Sequence, residues 1–383
     1  MTTIIGHHTT KFGELWQHSL FDLVKQSVFG ALKDSGLGKD EVEAIFFGNM
    51  LGGVLENNLH GGAKLAEMLG LNIPIFRVES ACASGGVAFN LGMNYITSSQ
   101  AKTVLVVGAE KMTDYAADAV ISGLSSATSG EEQEAGLTFP GLYAMLARYY
   151  LEKYSYTEKH LAYVSVKNHY HGLLNDNAHF QKKITVADVL ASPYVADPLK
   201  VLDSSPISDG ASALIITTDK SLIKKAKRAV SVLASEVATD SISLSARKNL
   251  DELLATRIAA EKAFREAKIT PKDISIAEVH DCFSIAELLA MEDLGFWKKG
   301  TAGKHMETMS TMHGNGSDFI VNSSGGLKAA GHPVGATGIK QIGEVYLQLT
   351  EQAGKRQIHK PRYGLAHNVG GSGGTAVVTI LGN

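Results

Sequence analysis

The chain partly repeats itself, and this constrains its fold more than any other feature. At a constant offset of 232 positions, the segment from Ala31 to Met50 lies over the segment from Ala263 to Cys282 without a gap. Ala31 meets Ala263, Leu32 meets Phe264, Lys33 meets Arg265, Asp34 meets Glu266, Leu37 meets Ile269 and Val42 meets Ile274. Further on, CASGG from Cys82 lies over HPVGATG from His332, each followed by a helical pattern and then an apolar strand. Two closing strands, after SDGAS (208–212) and GGSGG (370–374), also correspond. Any two helix–loop–strand units look somewhat alike, but agreement at charged, apolar and turn positions together favours two copies of one α/β unit packed against each other. That packing would gather equivalent loops of both halves around one shared site.

Short β-branched runs alternate with amphipathic stretches, as in a layered α/β fold. Strands are predicted at Ala44–Gly48, Ile75–Glu79, Thr103–Gly108, Ala213–Thr217, Ile274–Val279, Tyr363–Ala366 and Thr375–Leu381. Phe21, Val24, Val28 and Leu32 recur at helical spacing, as do Ala263, Phe264 and Ala267. After Tyr115 and up to about Lys200 the character changes: these residues include eight of the twelve tyrosines, with His160, His169, His171 and His179, and little β alternation. It is too aromatic for a flexible linker and is read as a largely helical insertion that covers or shapes a binding site.

Composition removes several function classes. The 36 Lys and Arg against 39 Asp and Glu give a net charge of −3, with no global basic footprint for neutralising nucleic-acid phosphates. Cys82 and Cys282 are the two cysteines, too few for a disulfide framework. No apolar run approaches the roughly 18 residues of a membrane span, and MTTIIGHHTTKFGELW lacks the marks of a secretory signal. The expectation is a soluble, cytoplasmic enzyme.

The chemistry-bearing residues lie at strand ends. Cys82, in VESACASGG, precedes a helix start, where amides and dipole would favour the thiolate; a buried structural cysteine is the bland alternative. Cys282 and His280, in EVHDCFSIAE, would point to the same side if the strand continues through them, although a lone histidine there is more often structural. In GLKAAGHPVGATG, Gly331, Gly335 and Gly338 suggest a tight turn from which His332 protrudes; no Gly-Lys-Ser/Thr element makes it a phosphate loop. His367 and Asn368 end a strand ahead of a glycine run with free amides. Zinc on His280, Cys282, His332 and His367 would suit the ligand types, but no close-spaced pair such as C-x-x-C is present. One thiolate as nucleophile, a second thiol as acid/base and imidazoles polarising a carbonyl fit acyl transfer with carbon–carbon bond formation or cleavage.

These motifs taken together resemble a thiolase of the sterol-carrier-protein-type branch, which includes the archaeal-type acetoacetyl-CoA thiolases. The resemblance rests on CASGG (82–86), HDCF (280–283), GHPVGATG (331–338) and HNVGGSGG (367–374), supported by TKFGELW (10–16) and VADPLKVLDSSPISDGAS (195–212). It implies a five-layered αβαβα fold made of two similar halves: residues 1–115 with 200–222, and 223–383, with a loop domain over 116–199 covering the coenzyme A site. It also implies roles. Cys82 would be acylated, with His332 helping to deprotonate it, and Cys282 would move the proton at the substrate α-carbon or the leaving thiol. His280 and His332 would form one oxyanion hole, the amides of Cys82 and Gly370 a second, with His367 and Asn368 shaping that loop. Conventional members carry Asn-Glu-Ala-Phe where this chain has HDCF, and a C-terminal cysteine where it has Asn368, so the second thiol has moved to Cys282. The serine that touches pantetheine is replaced near Ala259–Ala260.

The implied reaction is Claisen condensation of two acetyl-CoA to acetoacetyl-CoA, or the reverse thiolysis, with coenzyme A leaving on the proton held by His332. Substrates would be coenzyme A thioesters, with no further cofactor and no metal. Arg148, Lys182 and Lys183 are candidates for substrate phosphates. A homodimer or homotetramer is expected, with the apolar 88–107 region in the interface, and relatives pair with small OB-fold proteins or pathway enzymes. Rival readings are a decarboxylating β-ketoacyl synthase, against which Cys282 argues, a retro-aldol lyase, and a non-catalytic scaffold in a multienzyme complex.

Overall fold

The computed structural model describes residues 1–383. The first half runs β1 (Thr3–Thr9), α1 (Leu20–Ser35), β2 (Ala44–Gly48), α2 (Gly61–Leu69), β3 (Ile75–Val78), α3 (Ser84–Thr97) and β4 (Thr103–Glu110). There follow α4 (Ala117–Ser125), α5 (Gly130–Glu134), α6 (Phe139–Tyr154), α7 (Glu158–Gly172), α8 (Val186–Ala191), β5 (Tyr194–Ala196) and β6 (Leu199–Lys200), before β7 (Gly210–Thr217) and α9 (Lys220–Lys225). The second half runs β8 (Val230–Thr239), α10 (Leu254–Ala267), β9 (Ile276–Glu278), α11 (Ser284–Asp293), α12 (Ala302–Glu307), β10 (Ile320–Val321), α13 (Gly326–Ala330), α14 (Val334–Leu349), β11 (Tyr363–Gly370) and β12 (Thr375–Gly382).

The strand order β10-β9-β11-β12-β8-β1-β7-β4-β2-β3 reads as one five-stranded order and its mirror image. The halves join through a short pairing, Thr3 with Ser231 and Ile4 with Val230. The duplication is therefore carried by the topology itself, and the offset of 232 survives into local geometry. Helix α1 ends on Gly36 at φ +74° and α10 on Lys268 at φ +55°, each left-handed cap followed by a single 3-10 turn and a strand. Helices α3 and α14 form the central layer. Ala88, Phe89 and Met93 meet Ile339, Ile342 and Tyr346 there, with Val104 and Val106 of β4 in the same core. The outer layers are α1 over β1 and β7, and α10 over β8 and β12. The five-layered αβαβα arrangement follows.

The insertion is helical, as its composition suggests. Leu142, Tyr143, Leu146 and Tyr150 of α6 and Leu161 and Val164 of α7 share a core with Ile285, Leu288 and Leu289 of α11. Strand β1 is not apparent from periodicity, because TIIGHHT is largely buried on both faces and does not alternate. Within the 88–107 region expected at an interface, strand β4 lies between β7 and β2 with every residue buried, whereas Leu91 of α3 is exposed. No helix is long and apolar enough to cross a membrane.

Candidate active site

Cys82 sits in the link between β3 and α3. Ala81 before it is held at φ +50°, a conformation that costs an L-residue about 1–2 kcal/mol. Ser84 secures this bend: its hydroxyl donates to Ala81 O (2.6 Å) and accepts from Ser80 N–H (2.9 Å). Cys82 is 8% exposed, and Gly371 lines the same cavity. The expectation of a thiolate at a helix start is not met. Burial, with Cys282 nearby, pushes the Cys82 thiol up to about 12, outweighing the amide contacts. Ionisation therefore has to be coupled to a proton acceptor.

His332 stands within 4.8 Å of the Cys82 sulfur. Gly331 turns the chain at φ +103°, where a Cβ would also lie 2.8 Å from Ser208 Oγ. Gly335 and Gly338, expected in the same turn, instead lie within α14 and allow it to press on the first half; a Cβ on Gly335 would meet Ala109 O at 2.6 Å. Thr337 Oγ1 donates its one hydrogen to Pro333 O (3.0 Å), so at 2.7 Å from His332 Nδ1 it accepts, placing the imidazole proton on Nδ1. Nε2 is left with a free lone pair. Burial, with the Lys340 charge, holds His332 down to about 3, so the ring is neutral at pH 7.

His280 has the opposite tautomer. The Asn368 amide is oriented by Gly86 N–H, which donates to its Oδ1 (3.1 Å). Its Nδ2 therefore donates, to Cys82 O (3.0 Å) and towards His280 Nδ1 (3.3 Å). With Nδ1 accepting, the proton is on Nε2, which is buried without any partner. Burial, then the neighbouring His332, holds His280 well below the ordinary histidine range. The rings of His280 and His332 meet edge-on at 5.0 Å, and donor atoms of Cys82, His280 and His332 all lie within 4.8 Å of one another. A metal would need a lone pair where Asn368 places the His280 proton, so this trio suits an oxygen acceptor rather than a cation.

Cys282 follows strand β9 and is fixed by its own carbonyl, which accepts from Ser205 N–H (2.9 Å). Asp281 turns away and ties down the loop, accepting from Leu327 N–H (2.6 Å) and Asn168 Nδ2 (2.7 Å). Burial pushes the Cys282 thiol up to about 12 despite the nearby Tyr143 hydroxyl, which favours the thiolate. Both cysteines and His332 line a cavity of about 220 Å³, with Met112, Leu124, Phe139, Tyr143, Ile207 and Phe283 supplying apolar walls.

Four sequence expectations shift. His367 lies on the other face of β11 from Asn368 and points at α10, where its Nε2 meets Thr256 Oγ1 (2.9 Å), so it does not shape the site loop. Gly370, expected in the second oxyanion hole, packs on the Cys82 loop with its Cβ position 2.6 Å from Ser80 O, and its neighbour Gly371 lines the cysteine cavity. Arg148 pairs with Asp197 at 2.5 Å on the surface, and it, Lys182 and Lys183 lie outside the cysteine cavity. Ala259 and Ala260 are core residues of α10 rather than a ligand surface. Thr337, Gly371 and Tyr143 are the contributors the spacing did not single out. The first two sit within quoted motifs, whereas Tyr143 has no local signal beyond an aromatic-rich helix.

The chain matches the family model "Thiolase, N-terminal domain" over residues 2–220 and "Thiolase C-terminal domain-like" over 236–383. It is 45% identical over 380 residues to an acetyl-CoA acetyltransferase of Methanothermobacter thermautotrophicus, covering 99% of this chain and 98% of that one. It is 33% identical over 397 residues to sterol carrier protein 2 of Gallus gallus, covering 98% of this chain and 71% of that protein. Among solved structures, an "Ltp2-ChsH2(DUF35) aldolase" superposes with a TM-score of 0.86 at 20% identity, covering 100% of this chain and 97% of that chain, a likeness of fold. With two halves of one topology, and with the cysteines and histidines of both gathered at their seam, this chain belongs to the thiolase family.

Proposed function

We propose that this thiolase condenses two acetyl-CoA to acetoacetyl-CoA, and runs the reverse thiolysis, through an acyl-enzyme on Cys82. The observation that carries the reading is the pair of opposite histidine tautomers beside one thiol. His332 Nε2 takes the Cys82 proton as sulfur attacks the thioester carbonyl, and the amides at Cys82 and Gly371 face the resulting oxyanion. His332 Nε2 can donate to the enolate oxygen of the second substrate only while it keeps that proton. The departing coenzyme A thiolate is therefore better served by the Cys282 proton than by the His332 proton expected from the motifs. Cys282, now a thiolate, removes the α-proton of the second acetyl-CoA. His280 Nε2–H and His332 Nε2–H stabilise the enolate, which attacks the acyl group; Cys82 sulfur leaves and recovers its proton from His332. Protons balance, and every group returns to its starting state.

Residues 116–199 serve in this reading as the loop domain over the coenzyme A site, supported by Leu124, Phe139 and Tyr143 in the cavity wall. A second copy of the chain would cover the free edge strand β3, where Phe76 is 43% exposed and Leu91 of the adjacent helix 41%. Two free cysteines suit a reducing cytoplasm. Intact-mass analysis after incubation with acetyl-CoA, followed by peptide mapping, tests the reading. An acetyl group on Cys82 is expected, and folded protein with no adduct on either cysteine would overturn it.

A further inference from the structure

Tyr143, which lies in none of the motifs, lines the cavity that holds both cysteines. It is 1% exposed, and its ring lies on Phe283, the residue after Cys282, with centroids 4.8 Å apart. Its hydroxyl donates to Gly371 O (3.1 Å), and Tyr143, Cys82, Cys282 and Gly371 all line the same cavity. A phenol has one hydrogen, and Gly371 O can only accept. While Cys282 is a neutral thiol, the phenol hydrogen stays on Gly371 O, its one hydrogen-bond acceptor. Once Cys282 has lost its proton, a charged and stronger acceptor stands in the same cavity.

We propose that Tyr143 is a positioning residue for Cys282: its hydroxyl turns from Gly371 O to the Cys282 sulfur when the thiolate forms, which supports α-proton removal. No proton leaves Tyr143; one hydrogen bond is exchanged for another. The inference rests on Cys282 as the base of the condensation. Phe283 and the helix α6 core hold the ring in place whether or not the hydroxyl is present, so its contribution is separable from packing.

The test is exchange of the acetyl-CoA methyl protons in D2O, followed by NMR, in the full-length enzyme and in Tyr143→Phe. The Phe variant should keep its melting temperature and still acquire acetyl on Cys82, while exchange and condensation fall by about tenfold or more, the size of a lost hydrogen bond to a charged group. In a Cys282→Ala background the Tyr143→Phe change should alter neither acylation nor the residual rate. Exchange and condensation within twofold of the parent enzyme would overturn the proposal. Should Tyr143→Phe not fold, 3-fluorotyrosine at position 143 keeps the shape with a more acidic hydroxyl and should speed exchange about twofold; an unchanged or slower rate would overturn the proposal equally. A parent enzyme with neither acetyl on Cys82 nor exchange would instead remove the acyl-enzyme reading.

Discussion

Asn368 Nδ2 lies 3.3 Å from His280 Nδ1, and this contact sets which nitrogen of the histidine carries its proton. The amide cannot be turned the other way, because Gly86 N–H holds its oxygen. Asn368→Asp keeps the shape but places an acceptor where the donor was. His280 Nδ1 would then have to donate, leaving Nε2 bare towards the enolate oxygen. Condensation should fall about 100-fold or more, the usual loss for one oxyanion donor. Steady-state rates decide this, and a change under threefold would mean that the His280 tautomer is immaterial.

Cys82 and Cys282 are both pushed up to about 12 by burial, so resting thiols rather than thiolates face the substrate. The two are separable by function. Cys282→Ala removes the base but neither His332 nor the amides around Cys82. Acetyl should still accumulate on Cys82, more slowly because the departing thiolate must take its proton from water, seen as a mass increase on the intact protein, while condensation drops by about 10²–10⁴-fold. Normal turnover in that variant would exclude Cys282 from the reaction.

Much of this architecture is legible in the residues. The offset of 232 is visible because both copies keep the same left-handed cap, 3-10 turn and buried strand, and those features depend on a few local residues. The motifs give Cys82, His280, Cys282, His332 and Asn368 together, because each sits in a short distinctive run: Cys82, His280 and Cys282 follow strands β3 and β9, His332 lies between α13 and α14, and Asn368 lies within β11. What the residues do not disclose depends on facing. His367 and Asn368 are adjacent in sequence yet serve opposite faces of β11, which only the pairing of that strand decides. The thiol ionisation is equally hidden: a helix start argues for the thiolate, while the depth of burial that opposes it belongs to the tertiary packing. Tyr143 reaches the site across 139 positions to Cys282 and 228 to Gly371, beyond any local pattern.

Gly338 is where stability and chemistry share one position. A Cβ there would lie 2.3 Å from Asn368 Oδ1 and 2.3 Å from Gly86 N, at the crossing of α14 and α3. Gly338→Ala should cost about 1–3 kcal/mol, as overpacking does, and displace the amide that orients His280. A denaturant titration and an activity assay should therefore both move. Gly130→Ala, with nothing within 4 Å of its Cβ position, is the control and should stay within about 0.5 kcal/mol. A Gly338→Ala enzyme with parental stability would show that the helix crossing can open at little cost.

Acid should weaken the fold through histidines buried neutral, and His171 isolates the effect outside the active site. Its Nδ1–H donates to Asn322 O (2.9 Å) and its Nε2 accepts from His313 N–H (2.8 Å), so a second ring proton would break the latter bond. Burial, with Lys167 close by, lowers its pKa from 6.5 to about 3. The sign follows from proton counts. Between pH 3 and 6.5 the unfolded chain binds a proton at this residue that the folded chain does not. Stability is therefore complete above pH 6.5 and declines as pH falls towards 3, at about 1.4 kcal/mol per pH unit for one proton. His7, held to about 3 by burial, adds to the same slope. Unfolding free energy measured by urea titration between pH 7 and 5 should fall steadily in the parent protein. His171→Gln should be less stable at pH 7, having lost a well-placed acceptor, yet its dependence on pH should be shallower by close to one proton. Equal slopes for the two proteins would mean that His171 is already protonated in the fold, contrary to its hydrogen bonds.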